Sequence, residues 1–245
     1  MYNYAMDEAE KIKQIAEVFA RQNKKRIAKE LTDIAKFAPD EQTFSVFMAG
    51  SPGAGKTEYS KNLIESLERY QKHKVIRIDG DDLRHYLPDY RGSNSYLFQG
   101  AISIIVDKIH DVAIDNKQTF LLDGTFSKYE KSARNIKRSL DKGRQVRIFY
   151  VYQKPEVAWK FTIARETLEG RNIPKSAFIE RFIESRHTID RIRKDFDERV
   201  VIFLVKKNFE THAVEEVVEI KADGPQIEHY VGVGYTKDDL EKLLC

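Results

Sequence analysis

The chain has 245 residues, 41% hydrophobic and 33% charged, a balance that fits one large globular domain and excludes a disordered chain. No apolar run approaches the ~20 residues that cross a bilayer, the N-terminus has no signal-peptide core, and the single cysteine, Cys245, leaves no intramolecular disulfide. A net charge of +3 is too small to argue for a nucleic-acid groove, and a cytosolic protein is the expectation.

Residues 1–43 read as a helical lead-in. Ile12, Ile15, Ala16 and Phe19 share one face, Ile27, Leu31, Ile34 and Ala35 continue it, and Pro39 and Asp40 stop the helix. Phe44–Ala49 is a short strand of aromatic and apolar residues. It runs into Gly50-Ser51-Pro52-Gly53-Ala54-Gly55-Lys56-Thr57, a complete G-x-x-x-x-G-K-[ST] phosphate loop, and Leu63, Ile64 and Leu67 recur at helical spacing behind it. Lys74–Ile78 is a second strand that ends in Asp79-Gly80-Asp81-Asp82. A polar loop over 81–94 and a helix over 95–116 follow. Thr119–Leu122 is a third strand, closed by Asp123-Gly124-Thr125, and a basic helix covers 128–141. Val146–Val151 is a fourth. A helix from Pro155, with Val157, Trp159, Phe161 and Ile163 partly buried, precedes a second helix from about Pro174 to Phe196 and a fifth strand, Arg199–Val205. Val214–Ile220 reads as one more strand and Thr236-Lys237-Asp238-Asp239 as a capped helix start. The alternation predicts an α/β phosphate-loop NTPase fold, with a mostly parallel sheet of five or more strands and helices on both faces.

The loop residues Gly50, Ser51, Pro52, Gly53, Ala54, Gly55, Lys56 and Thr57 form an anion cradle of backbone N–H groups at a helix N-terminus. Lys56 is placed to reach the β- and γ-phosphates and the Thr57 hydroxyl to ligate Mg²⁺, so a nucleoside triphosphate with magnesium is expected. Ligands of such sheets bind beyond the carboxyl ends of the strands, where Asp79, Asp81 and Asp123 lie. Asp79 is placed to hold a magnesium-bound water, as is Asp123 at the end of an apolar strand, and Asp81 to take a proton from an acceptor hydroxyl. Asp82 is the more natural helix cap. Arg165 and Arg171 flank the polar stretch Glu166–Gly170, the form of a connection that closes cationic groups over phosphates. Nine Lys or Arg against five Asp or Glu between Lys160 and Lys194, and four against nine from Lys207 on, place the basic excess beside the lid, which suits anionic ligands.

Three segments, GSPGAGKT (50–57), VIRIDGDDLRHYLPDY (75–90) and ARETLEGRNIPKSAF (164–178), resemble the zeta toxin family, phosphate-loop kinases of bacterial toxin–antitoxin systems. The resemblance covers residues 40–205. Asp79, Asp81, Arg84, Pro88 and Tyr90 fit its pattern after the second strand. It puts the general base on Asp81, the loop lysine on Lys56 and the lid arginines on Arg165 and Arg171, and it implies ATP and Mg²⁺ as cofactors. The activity implied is phosphorylation of the 3′-hydroxyl of the amino sugar in UDP-N-acetylglucosamine, with acceptor contacts from Asp81, Arg84, Asp123 and Thr125 and a protein antitoxin as partner. Where the family has Glu-Gly-Thr with a basic residue two positions on, this chain has Asp123-Gly124-Thr125, then Phe126 and Ser127. Leu87 replaces the histidine that commonly precedes the proline. Leu87 and Phe126 are therefore where acceptor shape is expected to be written. The domain expected is a single kinase unit over 1–245: a helical extension 1–43, a core 44–206 with its lid near 160–178, and a C-terminal extension 207–245. A kinase of another acceptor (an antibiotic, a nucleoside or a nucleic-acid end) would share this architecture, and a nucleotide-dependent binding module would not need Asp81.

Overall fold

The computed structural model of the protein describes residues 7–169, 173–208, 211 and 213–244. In chain order the elements are α1 (Glu8–Leu31), β1 (Phe44–Ala49), α2 (Lys56–Gln71), β2 (Ile76–Asp79), α3 (Gln99–Asp115) and β3 (Phe120–Asp123). Then come α4 (Tyr129–Leu140), β4 (Gln145–Tyr152), α5 (Pro155–Glu169), α6 (Lys175–Phe196), β5 (Val200–Lys207), β6 (Val214–Ile220), α7 (Ile227–Val231) and α8 (Lys237–Leu243). Among the described residues no helix is long and apolar enough to cross a membrane.

Every residue of β1 is buried, as a mostly apolar strand requires when both sheet faces are covered, and its one polar side chain, Ser45, accepts from Arg144 Nε (2.7 Å). β3 pairs with it on one side and β4 on the other, all parallel, and the sheet runs β2-β3-β1-β4-β5-β6. β6 is antiparallel to β5, from Ile202 opposite Ile220 to Lys207 opposite Val214. The expected parallel sheet is thus present, with a sixth strand added in the opposite direction. Alternation along β1 sends Val46 and Met48 toward Leu63, Ile64 and Leu67 of α2. Phe47 and Ala49 face the larger cluster under α1, α3, α4 and α6. With neighbours on its two sides reached by crossovers in opposite directions, β1 sits at the switch point of the sheet. The crevice beyond its carboxyl end is where such a sheet takes a ligand.

Three local expectations give way. α1 ends at Leu31, before Pro39, because Thr32 Oγ1 donates to Ala28 O (2.7 Å) and Asp33 Oδ1 accepts the Ala35 N–H (3.0 Å), local bonds that compete with the helix. Its buried seam is Ala16, Ala20, Ile27 and Ala28, while Ile15 and Ile34 are 51% and 60% exposed. In α5 the i, i+2 spacing of the apolar residues cannot share a helix face. Ala158 and Thr162 are buried, and Phe161 and Ile163 turn outward. Residues 166–169, read as a connection, belong to α5.

The C-terminal segment is built onto the core. Arg193 on α6 donates Nη1 to Lys221 O (3.2 Å), Gly224 O (2.5 Å) and Pro225 O (2.7 Å), and Ile227, Leu240 and Leu244 are buried. The Thr236 side chain and Asp239 form the capping box expected at the start of α8.

Candidate active site

β1 delivers the chain directly into the phosphate loop. At Gly50 (φ +134°) a Cβ would stand 2.3 Å from Val151 O, and at Gly53 (φ +71°) 1.9 Å from Ala158 O. Glycine is therefore required at both, because β4 and α5 press on the loop from outside. The Gly50 N–H donates to Thr125 O (3.2 Å), which ties the loop to the turn after β3. Lys56 opens α2 and donates Nζ to Gly50 O (2.9 Å) and Ser51 O (2.7 Å). Burial lowers its pKa to about 8, against the opposing pull of Asp123, Asp79 and Asp81. Thr57 follows it on α2 and lines the same cavity.

The carboxylates converge through strand register. β2 and β3 pair so that Asp79 stands opposite Asp123. Arg77, two residues before Asp79 and so on the same pleat face, holds both. Its guanidinium pairs with Asp79, with Asp123 Oδ2 (3.3 Å) and with Asp82. Asp82 caps no helix, since the 3-10 turn that follows has no side-chain cap. Asp79 Oδ1 accepts the Asp81 N–H (2.9 Å), and its carboxyl is pushed up to about 6, first by burial and then by the neighbouring Asp123 and Asp81 charges. Asp123 Oδ2 also accepts from Ser60 Oγ (3.4 Å). Its Oδ1 takes no hydrogen bond among the described residues.

Asp81 projects one turn further. Its Oδ1 accepts from Arg84 Nε (3.2 Å), and Arg84, buried at 4% exposure, also donates Nη1 to Ser95 O (2.8 Å) and lies 5.7 Å from the Tyr90 ring centre. The Asp81–Arg84–Tyr90 chain explains why these residue types occur together after the second strand. Leu87 is buried in the core and does not line the cavity. Phe126 is packed in the core and, unlike Leu87, also lines the cavity; it lies 5.8 Å from Phe47 between ring centres, at φ +60°. A bulky residue in that region is strained, and here the bend turns the chain from Thr125 to Ser127 and Lys128 on the cavity wall.

Sequence reasoning missed three cations of this site. Arg77 was hidden inside a strand pattern. Lys131, on the basic helix α4, donates Nζ to Ser103 Oγ (2.6 Å) on the cavity wall, and burial lowers its pKa. Arg181, on α6, lines the cavity beside Arg165. Lys128, at the N-cap of α4, and Lys131 in its first turn both line the cavity, and this pair of lysines just after the third strand's acid is the signal that would have found Lys131. Arg171 lies outside the described residues.

All of this surrounds one cavity of about 1080 Å³, which takes in the phosphate loop, Asp79, Asp81, Arg84, Asp123, Thr125 and Arg165. That is at or above the usual size for one drug-sized ligand, and large enough for a donor and an acceptor together. Among the described residues no group of three or more His, Cys, Asp or Glu is arranged to hold a metal.

The family model for the zeta toxins matches residues 27–216. The chain belongs to the zeta toxin family. The match extends beyond the three motif segments to take in the last turn of α1, from Ile27, and the first residues of β6. Solved structures agree on the fold of this zeta toxin family member. A chain of the PezAT chromosomal toxin–antitoxin system of the human pathogen Streptococcus pneumoniae is 17% identical, covers 96% of this chain and 90% of its own, and gives a TM-score of 0.62. A chain of AvrRxo1-ORF1:AvrRxo1-ORF2 with sulphate ions is 15% identical over 98% and 81%, with a TM-score of 0.59. The same pair of proteins with ATP gives 14% identity over 91% and 70%, and a TM-score of 0.57. None of the curated proteins compared with it matches by sequence.

Proposed function

We propose that this zeta toxin family member transfers the γ-phosphoryl group of ATP to a hydroxyl of a small, phosphate-bearing acceptor. The leading acceptor is the 3′-hydroxyl of the amino sugar of UDP-N-acetylglucosamine. The observation that carries this reading is that Asp81 and the phosphate loop line one cavity, with Arg84, Lys128 and Lys131 on the acceptor side. A nucleotide-dependent binding module would need the loop but no carboxylate and no cations opposite it.

In this reading the residues 50–57 hold the triphosphate, and Lys56 exchanges its carbonyl partners for the β- and γ-phosphate oxygens. Asp81 accepts the acceptor's hydroxyl proton while that oxygen attacks the γ-phosphorus. The bond to the β–γ bridging oxygen breaks and ADP leaves. Arg84 holds Asp81 in place, and Arg165 and Arg171 offset the charge spread over the transferring group. Magnesium would be held by Thr57, Asp79 and Asp123, and would supply charge neutralisation at the phosphates. The donor set fits that ion: the Asp79 and Asp123 carboxylates stand opposite each other with the Thr57 hydroxyl on the same cavity wall, the Asp79 carboxyl is raised by burial and by its neighbours, and one Asp123 oxygen takes no hydrogen bond among the described residues, in a site where phosphates would complete the shell. Lys131 provides the positive charge that Ser127 cannot, which supports an acceptor carrying phosphate. Thr125, next to Asp123 on the same turn, is assigned to the acceptor.

The PezAT neighbour comes from a toxin–antitoxin system, and the AvrRxo1 pair has been solved with ATP. The first supports a toxin with a protein antitoxin, and the second supports ATP as donor. The chain works as one kinase domain, with residues 1–43 and 207–245 as extensions of its core.

Incubation with ATP, magnesium and a bacterial metabolite extract should give one product heavier by a phosphate, with UDP-N-acetylglucosamine consumed. Lys56→Ala and Asp81→Asn should each abolish transfer and relieve harm to a bacterial host. ATP hydrolysis that needs no acceptor and survives Asp81→Asn would sink the kinase reading.

A further inference from the structure

Lys207 ends β5 beside the phosphate loop and has no part in the reaction above. Its side chain is 4% exposed and lines the cavity. A Cβ on Gly55 would lie 3.3 Å from its Cε and 3.6 Å from its Nζ, so the ammonium sits against the last glycine of the loop. Among the described residues its one acceptor is Glu58 Oε2, at 3.0 Å, and Glu58 is itself 66% exposed. A buried ammonium has three N–H donors, and holding it without anions is costly. One carboxylate on a solvated side chain satisfies a single donor and is a weak partner. The loop beside Lys207 is the part whose N–H groups cradle the α- and β-phosphates, while Lys56 serves the β and γ positions.

We infer that Lys207 is a second nucleotide-binding lysine that contacts the α-phosphate end of the triphosphate, with Glu58 as its counter-ion in the free protein. This rests on the reading that the loop holds a nucleoside triphosphate. The bond that breaks lies between the γ-phosphorus and the bridging oxygen, so the charge on the α-phosphate is the same before and during transfer. A cation placed there binds ground state and transition state alike. It lowers KM and leaves kcat alone. Lys56 acts where charge develops and governs kcat.

The test combines calorimetric ATP binding with steady-state kinetics for the wild type and for Lys207→Met, Lys207→Arg, Glu58→Gln and Lys56→Ala. Lys207→Met should weaken ATP binding and raise its KM about ten- to hundredfold, the loss of one charge-assisted contact, with kcat within about twofold of wild type. Lys207→Arg should restore most of the affinity, and Glu58→Gln should bind ATP at least as tightly as wild type. An unchanged KM in a folded Lys207→Met protein overturns the inference. Equal losses in Lys207→Met and Glu58→Gln also overturn it, because they reduce the pair to a structural ion pair. Should Lys207→Met fail to fold, weaker ATP binding by Glu58→Gln decides against it. A wild type that binds no ATP, with Lys56→Ala indistinguishable from it, refutes the underlying reading instead.

Discussion

Replacing Asp79 by asparagine should stabilise the fold while abolishing transfer. The Asp79 carboxyl is pushed up from 3.8 to about 6 by burial and by the charges of Asp123 and Asp81. Its folded pKa lies above its unfolded one, so the folded protein holds the proton more tightly. Stability is greatest below the unfolded value and is lost as pH rises through about 6. A shift of about two units at 1.36 kcal/mol each puts the cost of the ionised side chain at about 3 kcal/mol above pH 7, an upper figure for a site open on one side. Asparagine copies the shape of the neutral acid and keeps an acceptor for the Asp81 N–H. Arg77 retains Asp82 and Asp123. Urea unfolding of wild type and Asp79→Asn, in the absence of nucleotide and magnesium, should show a gain of about 2–3 kcal/mol at pH 8 that shrinks to nearly nothing at pH 4. Transfer should fall at least about a hundredfold. A variant that is less stable at pH 8, or whose gain is the same at both pH values, refutes the reasoning. The expected gain means that function holds in place a charge that the fold alone disfavours.

His110 should show the opposite pH dependence. It is fully buried on α3 between Phe47 and Phe120 with neither ring nitrogen partnered among the described residues, and burial lowers its pKa to about 3. Between pH 6.5 and 3 the unfolded chain takes up a proton that the folded chain refuses, so this residue removes up to about 1.4 kcal/mol per pH unit as pH falls. His110→Leu should cancel that slope in urea midpoints at pH 7 and 5. A variant with the wild-type pH dependence would contradict the burial argument. Gly53→Ala should push α5 off the loop, since the added Cβ would meet Ala158 O at 1.9 Å and Thr162 Oγ1 at 2.7 Å. A displacement of that order should lower kcat/KM by about a hundredfold or more, and turnover at the wild-type level would show that the contact is not held in solution.

The phosphate loop and the acids at the strand ends were legible because each is a local pattern, a run of glycines or an apolar strand that stops at a carboxylate. The sheet followed from the alternation of strands and helices. What sequence could not give was register. Asp79 and Asp123 are 44 positions apart in the chain, and only the pairing of β2 with β3 puts them side by side. Arg77, Lys131 and Lys207 were read as a strand residue, a member of a basic helix and the first residue of an acidic tail. Each acquires its role from an element remote in sequence. The outward turn of Phe161 and the early end of α1 were missed for a different reason. Spacing by two mimics a strand inside a helix, and Thr32 and Asp33 offered the backbone bonds that compete with its continuation.

β6 gives the acidic tail a purpose that charge counting alone could not. It is the last strand of the sheet, and its outer edge presents backbone groups that another extended chain could pair with. Val214 and Val217 are exposed along it, which makes it a candidate for sticking to its own copies. Glu215, Glu216 and Glu219 stand exposed among them, so two such edges brought together would set carboxylate against carboxylate. The acids of β6 thus set like charge along the open edge of the sheet, the arrangement that disfavours pairing between copies.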